Sequence, residues 1–247
     1  MSGAEFVLLL LAGVTAGLVG AVTGLASVIS YPALLAAGLP PVTANVTNTV
    51  ALVFSGLGST LGGRPELRGQ GPRLRVLGSA GLLGGSLGAV LLLVTPADAF
   101  ERVVPVLIGV ASLCVLIPRP REHRHHSGTD ARWVVAAVFA VSVYGGYFGA
   151  AAGVLMLALL LSATSESLPI SNAIKNAVLA LANGVAAIGF ICFSQVRWLA
   201  VLPLALGFFT GGWLGPLVVR RLRPTGLRLA IAAAGVVIAI RLALQAY

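Results

Sequence analysis

The chain reads as a succession of long apolar runs separated by short polar breaks. In the first half the runs are roughly Phe6–Ala37, Val42–Leu61, Leu74–Val94 and Val103–Ile117. In the second they are Trp133–Ala163, Ile170–Phe193, Trp198–Val219 and Leu227–Leu244. A run of about 17–25 apolar residues spans the hydrocarbon of a bilayer as one helix, so most of these predict a single crossing each. The short alternating segments of a membrane barrel are missing. The pattern therefore predicts an all-α polytopic membrane protein. Phe6–Ala37 and Trp133–Ala163 are too long for one crossing. Both are interrupted by glycines, Gly17, Gly20 and Gly24 in one and Gly145, Gly146, Gly149 and Gly153 in the other. Small residues so spaced let helices pack closely. They also mark places where a membrane helix breaks in two or turns back as a re-entrant hairpin.

The two long runs belong to a repeat. Gly17, Gly20, Gly24, Leu39, Pro40 and Ala44 recur as Gly146, Gly149, Gly153, Leu168, Pro169 and Ala173, each pair 129 residues apart and without a gap. The third run of each half carries a glycine face, Gly78, Gly81, Gly85 and Gly88 answering to Gly207, Gly211 and Gly215, which reads as helix packing. The chain thus divides into a first transmembrane repeat (1–117), a basic cytoplasmic linker (118–132) and a second transmembrane repeat (133–247). Each repeat holds about four apolar segments, the first of them Gly-broken or re-entrant. A duplication of this kind in an apolar chain is a frequent signature of a transporter whose substrate sits between the halves.

Composition agrees. Hydrophobic residues make up 58% and charged residues only 9%, against roughly a quarter charged in soluble domains, so the chain cannot coat a water-facing surface. The net charge of +9 raises the question of nucleic acid. The arginines, however, sit in the breaks, where cytoplasmic loops collect them, and no nucleic-acid partner is expected. They form three clusters: Arg64, Arg68, Arg73 and Arg75; Arg119, Arg121, Arg124 and Arg132; Arg220, Arg221, Arg223 and Arg228. If every run crossed once, the third cluster would be external. If the two long runs dip in and return, all three are cytoplasmic and the repeats are inverted, which is the topology expected here. His123, His125 and His126 lie among the linker's arginines and read as solvated. Cys114 and Cys192 lie in apolar runs with no disulfide or metal spacing, and neither a metal nor a cofactor is expected. Met1–Phe6 has no basic residue or cleavage-like site, so the first run is read as retained.

After each Leu-Pro a helix begins with a polar first turn, Thr43-Ala44-Asn45-Val46-Thr47-Asn48 and Ser171-Asn172-Ala173-Ile174-Lys175-Asn176. One such residue suffices as an N-terminal signal, yet each copy supplies several. Asn172, Lys175, Asn176 and Asn183 share one stripe of a helix; Thr47, Asn48 and Ser55 make a weaker one. Lys175 is the only lysine in the chain. Within a span it costs about 2.5–3.5 kcal/mol unless it snorkels to the interface. Otherwise it is a cation among amides at a positive helix start, which suits an anion. Glu166 precedes this helix and is placed to pair with Lys175. No acid lies deep in a run, which removes an obvious proton relay or sodium site. No nucleophile, zinc or nucleotide motif is present, so an enzyme is not expected.

The run Gly17-Leu18-Val19-Gly20-Ala21-Val22-Thr23-Gly24, then Gly38-Leu39-Pro40-Pro41-Val42-Thr43-Ala44-Asn45-Val46-Thr47-Asn48, resembles the TauE/SafE family of sulfite and organosulfonate exporters. So do Gly146-Tyr147-Phe148-Gly149-Ala150-Ala151-Ala152-Gly153, Leu168-Pro169-Ile170-Ser171-Asn172-Ala173 and the later Val196-Arg197-Trp198. Gly24-Leu25-Ala26-Ser27 and Asn176-Ala177 depart from the family's usual Gly-rich and Thr-Ser pattern. The resemblance implies a secondary transporter of small anions in the bacterial plasma membrane, exporting sulfite or a small organosulfonate. The rivals are uptake of another small anion, such as sulfate or a carboxylate, and a non-transporting scaffold or accessory subunit. On this reading Lys175 supplies charge and Asn45, Thr47, Asn48, Asn172 and Asn176 supply hydrogen bonds. Thr23, Ser27 and Tyr147 flank the breaks, and Gly20, Gly24, Gly149 and Gly153 let the backbone approach the ligand. The partners are that anion and the lipid bilayer, and homodimerisation is compatible with the same reading.

Overall fold

The computed structural model describes residues 2–114 and 131–220. The last apolar run, the linker's histidines and arginines up to Arg124, and Arg221, Arg223 and Arg228 lie outside the described residues. Within them every regular element is a helix: α1 (Gly3–Thr23), α2 (Ala26–Ala36), α3 (Pro41–Gly62), α4 (Arg64–Leu67), α5 (Gly71–Val94), α6 (Ala97–Cys114), α7 (Ala131–Tyr147), α8 (Ala152–Ala163), α9 (Leu168–Phe193) and α10 (Trp198–Val219). Four of these, α1, α5, α9 and α10, are long and apolar enough to cross a membrane. Leu83, Val94, Ile188 and Leu202 are each at least 60% exposed. A water-soluble fold would bury such side chains, whereas a lipid-facing surface is as apolar as its core. The protein is a multi-pass membrane protein.

Both over-long runs break, and each break has a local cause. Gly24 ends α1 in the left-handed region at φ +89°, a conformation that strains any residue with a Cβ. Between α7 and α8 the chain turns through Gly149 (φ +75°) and Ala151 (φ +61°), the one non-glycine residue with positive φ among those described. The breaks do not fall at residues paired by the 129-residue displacement. Gly24 pairs with Gly153, which lies inside α8, while α7 already stops at Tyr147. Aromatic side chains pack at this break: Phe148 meets Tyr31 edge-on at 5.3 Å, and Phe100 meets both Tyr147 and Phe148 at 5.9 Å.

Three boundaries differ from the pattern reading. The break near Thr95–Arg102 is only a turn, because α6 already starts at Ala97 with Asp98 in its first turn, where acids favour the helix dipole. Arg132 belongs to α7 rather than to the linker. The first arginine cluster holds a short helix, α4.

The helices pack in a crossed arrangement. α10 lies between α1 and α3, and α5 lies between α7 and α9. α3 and α9 run antiparallel against each other, with Gly56 beside Ala180 and Gly63 beside Ala173. The glycine faces of α5 and α10 do pack: Gly81 and Gly85 sit on Val178 and Ala182 of α9, Gly207 and Gly211 on Leu10 and Val14 of α1. One end of the bundle gathers α4, the start of α5, the loop before α9 and the end of α10, joined by Arg220–Glu66 and Arg73–Glu166 ion pairs. α7 runs parallel to α5, so Arg132 starts at this end too, and the described arginines of all three clusters share it. The other end gathers the starts of α1, α3 and α10.

Candidate functional site

The site is where the two breaks touch. A Cβ on Gly24 would overlap the carbonyl carbon of Gly153, and one on Gly153 would overlap the Cα of Gly24. Backbone thus meets backbone, which only glycine on both sides permits. The breaks, α3 and α9 border a half-open cavity of ≈ 60 Å³ lined by Gly20, Ala21, Gly24 and Ser27, by Gly149 and Gly153, by Ser55 and Ser59 of α3, and by Asn176 and Asn183 of α9. One water needs roughly 10–15 Å³ on such a measure, so the space fits a ligand of a few heavy atoms. Its polar lining is hydroxyl and amide, all neutral.

The nearest buried charge stands behind this wall. Lys175 is fully buried, so it does not snorkel to an interface. Its Nζ donates to the carbonyls of Gly20 and Ala21, both at 3.2 Å. The Ala21 carbonyl also accepts from Nδ2 of Asn172 at 2.9 Å and of Asn176 at 3.2 Å. The physical reason is α1's end. The last carbonyls of a helix carry the negative end of its dipole, and some lack an internal partner: Gly20's accepts the Gly24 N–H at 2.7 Å, while Ala21's is satisfied by an ammonium and two amides from α9. Glu166, placed by sequence beside Lys175, instead forms an ion pair with Arg73 and accepts from Gln70 at 3.5 Å.

The second break is capped in the same sense from α3. Asn45 Nδ2 donates to the Tyr147 carbonyl at 2.9 Å. Asn48 accepts from Ser30 Oγ at 2.6 Å and donates to Ser27 Oγ at 3.1 Å. Thr47 Oγ1 accepts the backbone N–H of Arg197 at 3.1 Å. Each long helix therefore reaches across to the break of the opposite half. The Oδ1 atoms of Asn45 and Asn172 and the hydroxyls of Ser171, Tyr31 and Ser142 are buried without a partner among the described residues, at about 1–3 kcal/mol each, and none of these residues lines the cavity.

Of the residues singled out by sequence, Ser27, Asn176, Gly20, Gly24, Gly149 and Gly153 line the cavity. Asn48 reaches it through Ser27. Asn172 and Lys175 hold its wall, whereas Asn45, Thr47 and Tyr147 form a polar layer toward the other end of the bundle. Thr23 turns back on its own helix, donating to Val19 O at 2.8 Å. Ser59 escapes the pattern reading altogether, and Asn183 and Ser55 enter it only as members of polar stripes. The signal is present in the spacing, since Ser59 lies one turn past Ser55 and Asn183 two turns past Asn176. Among the described residues no three His, Cys, Asp or Glu side chains gather as metal ligands.

Comparison with known proteins gives a consistent picture. The family model described as "Sulfite exporter TauE/SafE" matches residues 9–242. The probable membrane transporter protein ORF9 of Sinorhizobium sp. is 30% identical over 215 residues, covering 84% of this chain and 80% of that protein. The probable membrane transporter protein YfcA of Escherichia coli (strain K12) is 24% identical over 204 residues, covering 81% and 75%. No solved structure gives a significant match.

Proposed function

The chain belongs to the sulfite exporter TauE/SafE family of membrane transporters, and on that premise we propose that it exports sulfite or a small organosulfonate across the bacterial plasma membrane through the cavity between its two breaks. The observation that carries this reading is the close approach of Gly24 and Gly153, which brings both interrupted helices onto one small space with hydroxyl and amide groups in a largely apolar wall. Ser27, Ser55, Ser59, Asn176 and Asn183 offer hydrogen bonds to the sulfur-bound oxygens. Lys175 acts through Ala21, holding the wall while its positive field favours an anion. The two halves are inverted repeats. In support, the paired helices α3 and α9 run antiparallel, and the packing of α10 on α1 and α3 is matched by that of α5 on α7 and α9. Alternating access is movement of the broken segments against the rest.

The test is sulfite efflux from proteoliposomes, comparing the wild type with Asn176→Ala and Lys175→Ala. Wild-type efflux should fall by about tenfold in Asn176→Ala, the scale of one hydrogen bond to a charged ligand, and be abolished in Lys175→Ala with expression near normal. Efflux indifferent to both changes keeps transport and discards this site. No flux of sulfite or any small sulfonate, from protein shown to be folded, moves the scaffold reading to the front. Flux confined to sulfate or a carboxylate supports the uptake of a different anion.

A further inference from the structure

We propose that a second anion-binding station lies at the end of the molecule opposite the arginine clusters, where Arg197 holds a small soluble oxyanion. A cavity of ≈ 410 Å³ opens there, lined by Glu5 and Leu9 of α1, by Ala37–Pro40 and Thr43, and by Gln195–Arg197, Leu199 and Ala200. It is much larger than the central space and, unlike it, is mostly polar.

The side chains supply the first reason. Arg197 lines this cavity, and its guanidinium makes no hydrogen bond or ion pair among the described residues; only its backbone N–H is engaged, by Thr47. Arg197 is exposed, as are Arg64, Arg68 and Arg75 at the opposite end, and what sets it apart from them is the cavity it lines. A guanidinium presents five donors in a fixed fork suited to the oxygens of a sulfonate, carboxylate or phosphate. Thr43 and Gln195 add neutral donors within the same walls.

The backbone supplies the second reason. The starts of α1, α3 and α10 converge on the cavity, and each brings unpaired N–H groups and the positive end of a dipole. The acid at the rim, Glu5, is drawn into α1's own capping box, accepting the Ser2 N–H at 2.8 Å.

The third reason is connection. Thr43 lines this vestibule and Ser55 lines the central cavity, about 18 Å apart along α3 at 1.5 Å per residue. Between them Thr47 holds the Arg197 backbone and Asn48 holds Ser27. The vestibule is therefore a stop on the path of the transported anion, and rests on the transport reading for the identity of that anion. Its occupancy does not depend on flux.

Binding is measured directly. Trp198 adjoins Arg197, so a protein carrying Trp133→Phe and Trp213→Phe reports from that position alone. Methanesulfonate is titrated in detergent at constant ionic strength with chloride as the balancing anion. The expected result is a saturable change in Trp198 emission whose affinity falls at least about tenfold in Arg197→Gln, the scale of one charge-assisted hydrogen bond. It should recover in part in Arg197→Lys and persist in Asn176→Ala. No saturable change from folded protein, or equal affinity in Arg197→Gln, overturns the station. A parallel titration in nanodiscs compares phosphatidylcholine with phosphatidylglycerol. A change produced by phosphatidylglycerol alone, with none from methanesulfonate, gives Arg197 to lipid headgroups and equally overturns the proposal. Absence of sulfite efflux from proteoliposomes would count against the central site and leave this binding result standing.

Discussion

Gly24 meets two demands that can be separated by substitution. Its backbone is left-handed, and its missing Cβ makes room for Gly153. Gly38 has nearly the same conformation, φ +83°, but nothing lies within 4 Å of where its Cβ would be. Alanine at Gly38 should therefore cost only the conformational strain, about 1–2 kcal/mol. Alanine at Gly24 should cost that plus about 1–3 kcal/mol for forcing the breaks apart, and should depress flux as well. Thermal unfolding in detergent compares the two; equal losses would show that the breaks do not bear on each other closely. Lys175 teaches a related lesson about legibility. As the sole lysine, set among amides, it is conspicuous in the sequence. That its ammonium serves α1's final carbonyls is not readable there, because the need arises only when a helix end about 150 residues away is brought against it.

At the scale of elements, the short helix α4 ties two long ones together. Arg220, closing α10, donates from Nε and Nη2 to the two carboxylate oxygens of Glu66 at 2.7 and 2.8 Å, and from Nη2 to the Gly62 carbonyl at the end of α3 at 3.1 Å. The hydrogen bonds from Arg220 hold the Glu66 carboxyl below the usual carboxylate range, against the opposing pull of partial burial. A depressed folded-state value stabilises the protein above the unfolded carboxylate's pKa, near 4.3, and that contribution is lost as pH falls through the lower folded value. Glu66→Gln should thus lower stability at neutral pH by about 0.5–1 kcal/mol, given that Arg220 is one-third exposed. The gap between variant and wild type should close in acid. Unfolding followed at neutral and strongly acid pH measures both limbs, and a gap that persisted in acid would deny Glu66 this role. The breaks in the long runs are legible from pattern, because glycine clusters interrupt an apolar stretch visibly. Helix α4 is not, being too short for any period to show. Nor is the offset of the second break, where Phe148 packs against Phe100 and Tyr31 from elsewhere in the chain.

At the scale of the molecule, charge separates the two ends. Arg64, Arg68, Arg73, Arg75, Arg132 and Arg220 share one end, while Glu5, Asp98, Glu101, Arg102 and Arg197 lie toward the other. This separation follows from the returns at the breaks: α2 and α8 turn back, so that the third arginine cluster comes to the same side as the first. Because loops rich in arginine stay in the cytoplasm, the arginine end is expected to be the cytoplasmic one. With Cys114 and Cys192 replaced by serine, Gln195→Cys and Arg68→Cys place single thiols at exposed positions of opposite ends. A membrane-impermeant maleimide applied to intact spheroplasts should label Gln195→Cys and spare Arg68→Cys, which should react only after permeabilisation. The reverse pattern would turn the molecule over and make the Arg197 vestibule cytoplasmic. Labelling of both thiols from one side would be incompatible with α3 and α9 running antiparallel, and would remove the inverted repeat along with the shared arginine end. The expected pattern has a consequence for direction. On the export proposed above, the strongly basic end would face the cytoplasm and draw anions toward the central cavity, and the Arg197 vestibule would lie on the side of release.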